Sequence, residues 1–372
     1  MSATIWFLQS EKTGDNAQVL PILEALGLPW TAKRLFVQPQ WRLGKPPFEI
    51  HLDHLDLARS DPLAPPWPDL VITSGRRMAM AALWIQEQSC GRTKLVYVGR
   101  PRRWIERFDL VVGAAQYRLP EAANVLQLDL PLMRPDRQAV EAAGQVWGSR
   151  LADLPRPLIA VLVGGQTKPF RLDAKVALDL IAAAQSEAAR RGGSLYFTTS
   201  RRTRPEVAEA IEQNLPAGAR LFRWQPDSKR EDNPYLGLLA LADAFIVTGD
   251  SASMMVEVAR LRRPLAIFPL PVEATLPRRA YMLMGKLFHS TPRHQHRWWA
   301  RPLRAIGNFL YDTVGLPYSR DLTMLHDTLI HRGMAVRIGQ PLPDRVGAVE
   351  DELETAASRV RRLLVSAEAS PA

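Results

Sequence analysis

The sequence predicts an α/β protein of two Rossmann-like halves facing a cleft, with a basic, aromatic-rich insertion in the second half. Three observations predict it. The apolar runs are short and rich in β-branched residues, as buried parallel strands are. Helix-length stretches separate them, which is the rhythm of βαβ units. At 372 residues the chain is long enough for two domains.

In the first half the spacing predicts strands at 4–8, 34–37, 70–73, 94–98, 110–112 and 125–128. Between the third and fourth, Met78, Ala81, Ala82 and Ile85 recur at helical spacing. Gly148, Pro155 and Pro157 precede the next strand, so the domain division is expected at 147–157. That gives a first domain over 1–150, a second over 151–340 carrying the insertion at 270–320, and a terminal helix and tail over 341–372. The second half alternates more cleanly. Strands are expected at 158–163, 194–198, 219–222, 244–248 and 265–268, with helices near 172–190, 205–213, 233–241 and 251–260. After Pro269 the alternation stops, and helices are expected again at 322–331 and about 346–364. The last has acids early and arginines late, which suits its dipole.

Composition narrows the class. With 47% hydrophobic and 23% charged residues the chain reads as an ordinary globular protein. A single cysteine, Cys90, rules out an intramolecular disulfide and any multi-thiolate metal site. His289, His294 and His296 lie among arginines that would repel a cation, so no metal is expected. The amino terminus has no basic and apolar signal pattern, and no run approaches a membrane span, so a cytoplasmic protein is expected. The net charge of +10 points to anionic partners. Residues 275–320 hold eight Lys/Arg against one acid, Asp312, interleaved with Trp298, Trp299, Phe309 and aliphatic residues. That mixture suits an anionic membrane surface, at the inner face, better than nucleic acid. The competing reading is an excursion folded onto the second domain or a partner subunit.

The residues able to carry chemistry gather at strand ends. Phe245-Ile246-Val247 runs into Thr248-Gly249-Asp250-Ser251-Ala252-Ser253, a strand followed at once by a helix. Asp250 or Ser251 would cap that helix, and the amides of its first turn would bind phosphate. Glu257, one to two turns on, is placed to reach ribose hydroxyls. Alone, the motif reads equally well as a plain helix cap. Two neighbours shift the balance: Gly164-Gly165 with Lys168 after one strand, and Thr199-Ser200-Arg201-Arg202 after another. The Gly164 loop is not a Walker A loop, and neither strand 4–8 nor strand 158–163 is followed by a G-x-G-x-x-G loop, which argues against a nucleotide-sugar epimerase or dehydrogenase. In the first half Gly14, Asp15, Asn16 and Gln18 follow the first strand, with Pro21 inside the helix beyond, predicting an extended loop or a kink. Gly75-Arg76-Arg77 follows the third strand; two cations at a helix start oppose the dipole and suggest an acidic ligand. Asp15 is the one carboxylate there suited to act as a general base.

Taken in order, Gly14-Asp15-x-x-Gln18, Pro68-Asp69-Leu70-Val71-Ile72 ahead of Gly75-Arg76-Arg77, Phe108-Asp109-Leu110, Val163-Gly164-Gly165, Thr198-Thr199-Ser200-Arg201-Arg202-Thr203, Asn233-Pro234-Tyr235 and Thr248-x-Asp250-Ser251-x-Ser253 resemble the bacterial branch of the mitochondrial-fission "elongated mitochondria" family. The likeness runs over roughly residues 3–340. The resemblance implies a GT-B-like architecture, as in glycosyltransferases that take a nucleotide-diphosphate sugar as substrate and need no further cofactor. It implies that the diphosphate meets the helix start at Ser251–Ser253, that Glu257 holds the ribose, and that Gly14–Gln18 and Gly75–Arg77 form the acceptor side. The alternative it carries is a non-enzymatic, membrane-associated adaptor that keeps the fold.

Overall fold

The structure, a computed structural model, describes residues 3–41, 46–167, 169–273, 276, 279–280, 283–284, 302–303, 305–307, 309–310, 321–343, 346–347 and 352–368. Most of the basic segment 275–320, and with it the surface assigned to a membrane, lies outside the described residues. The chain forms two compact units: Met1–Met133 with Arg279–Asp321 and Asp351–Ala372, and Arg134–Arg278 with Leu322–Glu350.

The first unit is a six-stranded parallel sheet. Its elements are β1 (Ile5–Gln9), α1 (Thr13–Leu26), β2 (Thr31–Arg34), β3 (Leu70–Ser74), α2 (Arg76–Gln88), β4 (Lys94–Val98), β5 (Leu110–Ala114) and β6 (Val125–Leu128). The strand order is β2-β1-β3-β4-β5-β6. Alternation along β1 feeds two cores, because successive side chains of a strand leave on opposite faces. Trp6 and Leu8 join the buried side of α2, through Met78, Ala82 and Ile85. Ile5 and Phe7 join Val19, Ile22 and Leu23 of α1. The C-terminal helix covers that second face through Ala356, Ala357 and Val360.

The expected strand at 34–37 forms instead at Thr31–Arg34. The apolar pair that drew the reading, Leu35 and Val37, is buried beyond the strand, where Val37 makes an isolated bridge to Leu55. Pro21 neither delays nor breaks α1, which runs unbroken to a left-handed cap at Gly27, φ 65°.

The second unit opens with α3 (Arg137–Leu151), then β7 (Leu158–Leu162), α4 (Ala174–Arg191), β8 (Ser194–Thr198), α5 (Pro205–Gln213), β9 (Arg220–Phe222), α6 (Tyr235–Leu241), β10 (Ala244–Thr248), α7 (Ala252–Arg260) and β11 (Leu265–Phe268). It closes with α8 (Leu322–His331) and the short β12 (Val336–Arg337). Its parallel sheet has the order β12-β11-β10-β7-β8-β9. α3 ends at Leu151, inside the stretch 147–157 where the domain division was expected, and packs on α6. A Cβ at Gly237 would lie 2.4 Å from Cγ of Trp147, so only glycine allows that approach. The final helix, α9 (Glu352–Glu368), is the one that joins the first unit.

Both orders contain a switch point. In the first unit the chain leaves β1 for β2 on one side and returns for β3 on the other. In the second it runs β7, β8, β9 one way, then β10, β11, β12 the other. Adjacent loops part company at these places, outside the carboxyl ends of β1/β3 and of β7/β10, and open parallel sheets bind ligands there.

Candidate functional site

The β7/β10 switch point is tied together by two side chains. The N–H of Gly164 donates to Oγ1 of Thr248 at 2.8 Å, and the N–H of Gly165 donates to Oδ2 of Asp250 at 2.8 Å. The Thr248 hydroxyl donates in turn to Oδ1 of Asp250 at 2.8 Å. The two glycine amides that the sequence offers to an anion are therefore engaged by residues of the neighbouring loop. Glycine is required at both positions for space. A Cβ at Gly164 would stand 2.5 Å from the Asp250 carboxylate oxygens, and one at Gly165 would stand 2.2 Å from the Arg202 carbonyl oxygen.

The loop after β8 is built the same way. Thr199 sends its N–H to the Phe222 carbonyl at 3.0 Å and accepts the Trp224 N–H at 2.8 Å. The Ser200 N–H donates to Oγ1 of Thr203 at 2.8 Å, and the Thr203 hydroxyl donates to the Gly164 carbonyl at 2.5 Å. Nη1 of Arg202 donates to Oγ1 of Thr167 at 2.9 Å. Arg201 and Arg202 stay exposed, so this edge keeps positive charge. Lys168, expected to add to it, lies outside the described residues.

Ser251 is the N-cap of α7, and no side chain caps the helix. Its hydroxyl is buried, with the residue 1% exposed, and has no hydrogen-bond partner among the described residues. Ser253, in the first turn, is half-buried. The uncapped start leaves first-turn N–H donors without an intrahelical partner, and it is covered: Asp250, Ser251 and Ala252 are 2%, 1% and 7% exposed, while Ser253 and Met254 are half-buried. Asp250 is also buried; burial pushes its carboxyl above the usual range, against the pull of Thr248, the Gly165 amide and Arg202. Along the same helix, Oε2 of Glu257 accepts the Tyr235 hydroxyl at 2.5 Å. Burial raises Glu257 as well, tempered by that bond, and burial together with Glu257 holds the Tyr235 phenol well above its ordinary value.

One residue here was missed by the sequence reading. Nε2 of His326, on α8, donates to the Gly249 carbonyl at 2.7 Å, and its ring stacks on Phe170. A Cβ at Gly249 would lie 2.8 Å from the imidazole, so that glycine serves the packing of His326 under the turn. Nothing local in the sequence signals a contact across 77 residues.

In the first unit α1 begins at Thr13, which places Gly14, Asp15, Asn16 and Gln18 in its opening turns rather than in a loop. Asn16 closes on Ser10, donating Nδ2–H to its carbonyl at 2.7 Å and accepting its N–H at 3.1 Å. Gln18 donates to the Gly14 carbonyl at 3.4 Å. Gly75 has φ 88°, and a Cβ there would lie 2.7 Å from Oδ2 of Asp15, so the switch point brings Asp15 against the start of α2. Arg76 donates to the Pro46 carbonyl and lies over the Phe48 ring at 5.7 Å. Arg77 donates to the Trp41 carbonyl. Burial lowers the pKa of both, and Glu11 and Asp15 counteract it for Arg77. These carbonyls and carboxylates give the two arginines partners without any ligand. Below them His54 is fully buried, donates Nε2–H to the Arg77 carbonyl at 2.9 Å, and has its pKa lowered to about 4 by burial.

Among the described residues no group of His, Cys, Asp and Glu is arranged to hold a metal ion, and no helix is long and apolar enough to cross a membrane. Fold and site together define a two-unit, Rossmann-like α/β protein with polar loops at both switch points. Residues 13–291 match the family model for mitochondrial fission ELM1, and the chain belongs to that family. It is 27% identical over 222 residues to mitochondrial fission protein ELM1 of Arabidopsis thaliana, covering 54% of this chain and 51% of the plant protein. The match thus spans about half the length of that relative. It is 25% identical over 302 residues to uncharacterized protein RP120 of Rickettsia prowazekii (strain Madrid E), covering 72% of this chain and 83% of the other. Among solved structures, the UDP-GlcNAc 2-epimerase of Methanocaldococcus jannaschii aligns over 98% of this chain and 99% of its own at 9% identity, TM-score 0.47. Medicago truncatula UGT71G1 complexed with UDP-glucose aligns over 98% of both chains at 10% identity, TM-score 0.47.

Proposed function

We propose that the second unit binds a nucleotide-diphosphate sugar and that the protein is a glycosyltransferase, acting on a lipid-linked or membrane-proximal acceptor. The observation that carries this reading is the Ser251 hydroxyl, buried without a partner beside the uncapped start of α7 at a switch point. Burying an unpaired hydroxyl is unfavourable unless a ligand completes it. A diphosphate supplies acceptor oxygens to that hydroxyl and to the amides of Ala252, Ser253 and Met254, with the dipole favouring its charge. The engaged amides of Gly164 and Gly165 set the turn; they do not grip the phosphate. Arg201 and Arg202 add exposed positive charge from the β8 loop, and Glu257 takes a ribose hydroxyl. In transfer the α7 start would stabilise the departing diphosphate. On the acceptor side Asp15, beside Gly75 and Arg77, serves as the general base. The test is a thermal-shift screen against uridine, guanosine and cytidine diphosphates and their sugars. At least one should stabilise the wild type, and Ser251→Ala and Glu257→Ala should each diminish the effect. Unchanged binding in both variants refutes the site.

The second reading is a non-enzymatic adaptor that keeps the fold and docks on an anionic membrane through 275–320. It is favoured by membership of a fission family and by the engaged Gly164 and Gly165 amides. For an adaptor the nucleotide screen stays silent, and deleting 278–310 abolishes pelleting with phosphatidylserine vesicles.

A further inference from the structure

The motif Asn233-Pro234-Tyr235 has no part in the diphosphate contacts, yet it is built with care. Pro234 is the N-cap of α6, and Oδ1 of Asn233 accepts the Tyr235 N–H at 3.0 Å, fixing where the helix begins. The helix is pressed on α3 at Gly237 and Trp147. Its first side chain is thereby aimed across to α7, where the Tyr235 hydroxyl meets Oε2 of Glu257 at 2.5 Å. Oε1 of Glu257 has no partner among the described residues.

We propose that Tyr235 is a positioning residue of this site: by occupying Oε2 it locks the Glu257 carboxylate in one orientation and keeps Oε1 as the single acceptor for a ligand hydroxyl. The inference rests on the nucleotide reading above and adds its specificity. A free carboxylate can chelate a vicinal diol with one hydroxyl on each oxygen; here Oε2 is already engaged by Tyr235, so a ligand diol meets Oε1 as the free oxygen. Donation from Tyr235 also favours the charged carboxylate, which is the stronger acceptor, in surroundings whose burial favours the neutral acid. Tyr235 is the titratable group that α6 brings to Glu257; β10 and β11 bring none, α8 carries His326, Asp327 and His331, and α7 itself carries Arg260.

The experiment is calorimetry across pH with whichever of uridine, guanosine or cytidine diphosphate binds the full-length protein most tightly. Without its donor, half-buried Glu257 holds its proton to higher pH. Tyr235→Phe, which keeps the ring and its packing, should then bind up to about tenfold more weakly than wild type at the acid end of the range, the size of one charge-assisted hydrogen bond. The deficit should close as the pH is raised, and Glu257→Gln should bind weakly at every pH. A deficit in Tyr235→Phe that does not vary with pH, or no deficit, overturns the role of Tyr235 and leaves the site standing. Failure of the wild type to bind any of the three overturns the site and the inference together. If Tyr235→Phe melts early, the wild type decides: affinity that does not decline toward acid, relative to Glu257→Gln, overturns the proposal.

Discussion

Replacing Ser251 by alanine should make the ligand-free protein more stable while it weakens nucleotide binding, the reverse of what a structural serine would do. The residue is 1% exposed and its hydroxyl has no partner among the described residues. A buried, unsatisfied hydroxyl costs about 1–3 kcal/mol relative to water. Alanine removes that term and leaves a void the size of one oxygen, which costs about 0.5 kcal/mol at ~24 cal/mol/Å³. The balance is a gain of about 1 kcal/mol, or roughly 2–4 °C in the melting temperature of a unit this size. With a nucleoside diphosphate present the sign reverses. The variant loses one hydrogen bond to a charged group, about 1.5–3 kcal/mol, at least tenfold in Kd. Urea unfolding of the ligand-free proteins and calorimetry with ligand measure the two halves separately. If Ser251→Ala is less stable than wild type without ligand, the hydroxyl is satisfied within the fold and is not held for a partner.

Three further outcomes follow from the same geometry. Gly165→Ala drives a Cβ against the Arg202 carbonyl, a backbone group that cannot rotate away, so chemical unfolding should show a loss of about 1–3 kcal/mol. Asp250 has its pKa raised in the folded state by burial, so its contribution to stability is complete below its unfolded pKa and is lost as pH rises through the folded one. Asp250→Asn keeps the shape without that titration, so melting temperatures taken across pH should show the variant gaining on wild type as pH increases. Arg118 and Asp321 form a buried pair at 2.8 Å, and Arg118→Ala takes the guanidinium away from a buried carboxylate, which should cost about 1–3 kcal/mol in urea unfolding.

The central strands were legible because burial on both faces leaves unbroken apolar runs. β7, β8, β10 and β11 are fully buried, and the readings fell within a residue or so of them. β2 was misplaced because it is an edge strand of Thr31-Ala32-Lys33-Arg34 with half its residues exposed, and no apolar run marks it. α3 was hidden by Gly148, which lies in its last turn, and by Pro155 and Pro157 after it, because all three read as breakers next to a domain division. That α9 belongs with α1 rests on Ala356, Ala357 and Val360 finding Val19 and Ile22, a choice of partner that amphipathicity alone does not specify. The polar clusters were legible as clusters. Their internal wiring was not: Thr248 and Asp250 reach Gly164 and Gly165 across 84 and 85 residues, and those bonds take up amides that local sequence leaves open.

The amide resonances of Ala252, Ser253 and Met254, followed while a nucleoside diphosphate is titrated into isotopically labelled protein, address the α7 start directly. Saturable shifts at these three, needing at least tenfold more ligand in Ser251→Ala, are the predicted result. Three resonances that stay in place while the ligand binds elsewhere, or no binding up to millimolar ligand, would contradict the account.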